Sequence, residues 1–134
     1  MKRIKIIILS NNPLTIKNNL KYKGEFEYLD KKSLLEVLLK ARDYIHLGHE
    51  LLTHPLTGSV KPSETMYKSI VLSYEKKTNI DIPSLEKIEN CIKISEKMLS
   101  DSKIINYPET IKEDFQLIDF SLLKTGLESI NQFY

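Results

Sequence analysis

The sequence predicts an α/β domain: a three-layer α/β/α arrangement around a small, mostly parallel sheet. Three observations carry this. Short β-branched runs alternate with stretches of helical period, the order of a layered α/β chain. The first run, Ile4 to Leu9, is continuously apolar from Ile6, as in a central strand covered on both faces. Right-handed crossovers between parallel strands then place helices on both faces of the sheet. At 134 residues, 41% hydrophobic and 28% charged, the chain has material for one core. No repeat or linker divides it, so residues 1–134 are expected to form a single domain.

The first strand stops at Ser10-Asn11-Asn12-Pro13, a turn signal, and Pro13 suits the first position of a short helix, Leu14 to Leu20. After Gly24, Glu25 to Leu29 alternates Phe26 and Tyr28 with charges, the pattern of an edge strand. Asp30 or Ser33 can cap a long helix from about Lys32 to His49, with Leu34, Leu38, Ala41, Ile45 and Gly48 on one face. Leu51-Leu52 reads as a short strand and Ser69 to Tyr74 as another. Asp81 and Pro83 open a helix with Leu85, Ile88, Ile92 and Leu99 aligned. Pro108 opens a last helix, with Ile111, Phe115, Ile118 and Leu122 toward the core. Gly126 is expected to end it, leaving a loose tail over about 124–134.

Composition narrows the function classes. Twenty basic and 18 acidic residues leave a net charge of +2, with lysines interleaved among glutamates, so no electrostatic footprint for nucleic acid is present. The N-terminal apolar run is too short for a signal core or a membrane span. Cys91 is the only cysteine. That rules out an internal disulfide, fits a cytoplasmic location, and leaves Cys91 as a small core filler rather than a nucleophile.

The stretch most suited to function is His54-Pro-Leu-Thr-Gly-Ser-Val-Lys-Pro-Ser-Glu-Thr-Met-Tyr-Lys68. Two prolines, a glycine and several hydroxyls make it an irregular loop, long for so small a domain. Thr57, Gly58 and Ser59 offer N–H and hydroxyl donors, and Lys61 and Lys68 offer charge, so that together they can cradle a small anion. The competing reading is a loop that merely wraps the sheet edge. Lys61 is followed by Pro62, not Ser or Thr, and Ser10-Asn11-Asn12 lacks the glycines of a dinucleotide turn. No nucleotide or other cofactor is expected. If Leu51-Leu52 runs parallel to the first strand, Ser10, Asn11 and Asn12 emerge on the same edge as His54. The asparagines then either bind a ligand or form an Asx-turn.

Other candidates are weaker. His46 and His49 are one helical step apart, with His54 just beyond, but the spacing fits no zinc-protease pattern, and the pair can equally cap a helix end. His54 can act as an acid or base, with Glu64 in the same loop. Phe120, with Phe133 and Tyr134 nearby, can mark a contact with a partner protein, and the competing reading is a helix buried on two sides; the chain can also self-associate.

Three segments, in order, resemble the GrdX family: Ser10-Asn11-Asn12-Pro13-Leu14, the run Leu51 to Lys68, and Glu113-Asp-Phe-Gln-Leu-Ile-Asp119. The resemblance covers roughly residues 6 to 122; Met66 stands where the family pattern has proline, and nothing matches beyond Leu123. It implies an accessory protein encoded with the glycine, sarcosine and betaine reductase complex, with that complex's components as possible partners. It carries over no catalytic residue. The expectation is therefore an accessory protein, more a binder than an enzyme, that takes a small anion or a partner protein through the 54–68 loop.

Overall fold

The computed structural model describes residues 4–55, 61, 62, 64–101 and 106–133. Its central strand is β1 (Lys5–Ser10), with β2 (Lys23–Tyr28) parallel to it on one side and β3 (Ser69–Ser73) antiparallel on the other. The α/β class holds, and β2 lies at an edge. The sheet is mixed, however, not mostly parallel. The reason lies in the connection before β3. Residues 50–53 run along β3 through Leu52 N–H to the Val71 carbonyl (2.9 Å), Ser73 N–H to the Glu50 carbonyl (2.8 Å) and an antiparallel bridge between Leu51 and Leu72. The loop from His54 to Lys68 thus turns the chain back as a long hairpin would, and β3 has to enter reversed. Residues 50–53 in turn run in the direction of β1, though as a single bridge rather than a strand.

The apolar run of β1 divides between two clusters by side-chain alternation. Ile7 and Leu9, with Ile70 and Leu72 of β3, pack on Leu34, Val37, Leu38, Ala41 and Ile45 of α2 (Leu34–His46) and on Ile88 and Ile92 of α3 (Ile82–Asp101). Ile6, Ile8 and Val71 pack on Leu123, Leu127 and Ile130 of α4 (Glu109–Phe133). The first connection holds only one short helix, α1 (Leu14–Lys17).

Local chemistry sets the boundaries. Ser33 caps α2 by accepting the Glu36 N–H (3.1 Å). The helix stops at His46 because Gly48, at φ 109°, turns the chain under Lys77, whose N–H reaches the Gly48 carbonyl (2.8 Å). Asp81 caps α3, taking both the N–H and the hydroxyl of Ser84, and Cys91 is buried within that helix.

Helix α4 departs most from expectation. Its buried face is Asp119, Leu123, Leu127 and Ile130, whereas Ile111 and Ile118 are 40% and 39% exposed. Nor does Gly126 end it: the helix runs on to Phe133. A Cβ at Gly126 would lie 3.3 Å from Thr53 Cγ2, so the glycine serves close approach to the 50–53 segment rather than termination. The residues expected as a loose tail instead complete the second cluster. Among the described residues no helix is long and apolar enough to cross a membrane.

Candidate functional site

At the carboxyl end of β1 three polar residues are buried in succession: Ser10, Asn11 and Asn12. Burying such groups is tolerable only if each is hydrogen-bonded, and each is. Ser10 Oγ pairs with Ser69 Oγ (2.7 Å) and accepts the Asn12 N–H (3.0 Å). Asn11 donates to the carbonyls of Lys32 (2.8 Å) and Met66 (2.7 Å), and its own side-chain oxygen accepts the Lys68 N–H (2.8 Å). Asn12 donates to the Gln116 carbonyl (2.7 Å) and to Asp119 (2.9 Å), and accepts the Leu14 N–H (3.0 Å). The Asx-turn is thus present at Asn12. Both amides are committed to the protein itself, Asn11 clamping the segment that leads into β3 and Asn12 docking α4.

Asp119 is the hub that the residue pattern alone did not single out. Its carboxylate accepts the Ser69 N–H (3.0 Å), the Ser69 hydroxyl (2.7 Å) and the Asn12 amide. The signal was there in retrospect. Asp119 heads the row Asp119, Leu123, Leu127, Ile130, one acid in an otherwise apolar helical stripe.

Over this network lies a cleft of about 510 Å³ between residues 52–54 and α4, lined by Thr53, His54, Lys68, Ser69, Asp119, Thr125, Gly126 and Ser129 among others. The missing side chain of Gly126 keeps one wall low. Burial pushes the pKa of Lys68 down, against the pull of Asp119, which favours the charged form. Among the described residues Lys68 makes no ion pair, and the charge of Asp119 is met by three donors from Ser69 and Asn12.

Of the residues proposed from sequence, then, His54, Lys68 and the Ser10–Asn12 turn come together on one edge, with His54 and Lys68 lining the cleft. Lys61 is exposed; its carbonyl accepts the N–H groups of Glu64 (2.9 Å) and Thr65 (3.3 Å), and it lines no part of the cleft. Thr57, Gly58 and Ser59 lie outside the described residues, as do Tyr134 and the side chain of Phe133. His46 is exposed at the end of α2. His49 is buried, its ring nitrogen Nδ1 2.7 Å from the Ser73 carbonyl and its ring edge-on to Tyr44. Among the described residues no three of His, Cys, Asp and Glu lie together as a metal site would require. Phe120 is half-buried, with the Lys124 ammonium 5.9 Å from its ring centre.

The family model described as GrdX-like protein matches residues 7–128. The chain belongs to the GrdX-like protein family. Comparison with curated proteins and with solved structures finds no match. The GrdX-like match bears out the sequence resemblance and carries it further along α4. It takes in the Ser10–Asn12 turn, the whole 54–68 loop, Asp119 and the cleft as far as Gly126.

Proposed function

We propose that this GrdX-like chain is a cytoplasmic accessory protein of the glycine, sarcosine and betaine reductase system, which holds a small anionic molecule in the cleft lined by His54 and Lys68, the two ends of the 54–68 loop. The observation that supports this is Lys68, a half-buried cation that lines the cleft and makes no ion pair among the described residues. A partly desolvated ammonium attracts an anion more strongly than one in water. Thr125 and Ser129 add hydroxyls to the cleft wall, His54 a ring nitrogen, and Thr57, Gly58 and Ser59 are candidate donors by residue type. The two apolar clusters on either side of β1 are, on this reading, the outer interfaces of a three-layer sandwich that fixes the cleft in place.

The test is a thermal-shift series with phosphate, sulfate, glycine, betaine and acetyl phosphate at millimolar concentration. A bound anion raises Tm by mass action, by about 2.7 kcal/mol of stabilisation at a hundred times Kd. The K68M variant keeps the aliphatic stem and removes a partly buried charge, so its own Tm is expected to stay level or rise while the anion response disappears. No response from the native chain to any of the five overturns the proposal.

A second reading has its own support. Ile111, Leu117, Ile118 and Leu122 leave exposed apolar side chains along α4. On this reading α4 docks a reductase component, and I118D then abolishes co-purification with that component while leaving the anion response intact.

A further inference from the structure

The segment clamped by Asn11 has a cavity on each side. Lys68 and Ser69 line the first cleft; Thr65, Met66 and Tyr67 line a second cavity of about 680 Å³, whose other walls include Tyr28, Lys31 and Leu34. That volume falls in the range of small-molecule sites, which combine apolar and aromatic walls with a few polar groups. The position also fits. Tyr28 ends β2, Asn11 follows β1, and Leu34 begins α2, so the cavity opens beyond the carboxyl ends of two parallel strands, where ligands of open α/β sheets sit.

Its chemistry differs from that of the first cleft. Tyr28 and Tyr67 offer two phenol rings, with Leu34 and Met66 as aliphatic surface. At the mouth Lys32 is tied to Glu36 (3.9 Å), whereas Lys31 makes no ion pair among the described residues. Lys31 is held at φ 58°, a conformation that few non-glycine residues adopt. The turn that holds it is secured on both sides, by Lys32 N–H to the Leu29 carbonyl (3.2 Å) and by Asn11 to the Lys32 carbonyl (2.8 Å). Asp30 is the opposing charge, and it lies close enough to Tyr28 to help hold that phenol protonated, after burial. With its amide committed to the main chain, Asn11 shapes the cavity without facing a ligand.

We infer that this cavity is a second ligand site, for a flat, largely apolar molecule carrying one acidic group that meets Lys31. It is independent of the anion cleft, and either can fail without the other.

The experiment titrates the full chain by amide and methyl NMR with three probes of one shape: 2-naphthoate, neutral 2-naphthamide and cationic 2-naphthylmethylamine. The expected result is saturable binding of naphthoate, with shifts at Tyr28, Lys31, Leu34 and Met66 and none at Thr125 or Ser129. Naphthamide should bind about tenfold more weakly, the size of one charge-assisted contact at a partly exposed site. K31Q should erase that preference, and M66E, at an exposed position, should weaken all binding of naphthoate. The inference is overturned if no probe binds at millimolar concentration, if the amide or amine binds as well as the acid, or if the shifts fall in the first cleft or scatter over the surface.

Discussion

Exchanging one side-chain atom at Asn11 inverts its role. In N11D a carboxylate replaces the amide, and the oxygen that takes the place of the amide nitrogen then faces the carbonyls of Lys32 and Met66, which now receive its two N–H donors, while the other oxygen still accepts the Lys68 N–H. Alanine at the same place only leaves those carbonyls and the Lys68 N–H unpaired, each worth about 1–3 kcal/mol when buried. N11D is therefore expected to be the less stable of the two at neutral pH, a reversal of the usual ranking by similarity. Urea titrations of both variants check this, and an aspartate variant as stable as the alanine one would show that the carboxylate meets no such repulsion. The turn at Ser10-Asn11-Asn12 was legible in the sequence, because Asn-Asn-Pro after an apolar strand is turn chemistry. Which partners the two amides take was not, since Lys32, Met66, Gln116 and Asp119 are brought there only by the closed fold. The same holds for Asp119: a buried acid becomes visible as a hub only when Ser69 and Asn12 stand opposite it.

At the scale of an element, α3 tests how much a helix depends on the residue that caps it. Asp81 receives two bonds from Ser84 and one from Lys77 (2.7 Å). The hydrogen bond from Lys77, followed by those from Ser84, holds the Asp81 carboxyl below its ordinary 3.8. A carboxyl with a depressed folded-state pKa adds stability above its unfolded value, and that contribution disappears as pH falls through the folded one. D81A is expected to cost about 1 kcal/mol at neutral pH and to flatten the acid limb of the Tm profile below pH 3.8. Equal losses at neutral pH and in acid would remove the electrostatic part of this account. Helix periods and caps of this kind were readable from residue spacing, as α2 and the start of α3 show. The buried face of α4 was not. Its N-terminal half carries an apolar row as regular as the true one, and only contact with β1 and β3 distinguishes Leu123, Leu127 and Ile130 from Ile111, Ile118 and Leu122.

For the molecule as a whole, the decisive contact is the last one in the chain. Ending the protein at Lys124 deletes Leu127 and Ile130, whose burial is worth roughly 1.5–3 kcal/mol each. Against a typical stability of roughly 5–15 kcal/mol, the truncated chain is expected to melt at a much lower temperature and to bind a dye for exposed apolar surface. An unchanged Tm would mean that the end of α4 is the loose tail its residues first imply. The class of the fold was legible in the alternation of strands and helices. The reversed direction of β3 was not, because it depends on residues 50–53 turning back through the loop, and their side chains carry no mark of direction.

The same closure governs how the protein can be made. Ile130, which packs in the same cluster as Ile6, leaves the ribosome 124 positions after it. At roughly 5–20 residues per second the central strand waits about 6–25 seconds with one apolar face uncovered. The second cluster therefore closes only after translation has passed the last turns of α4.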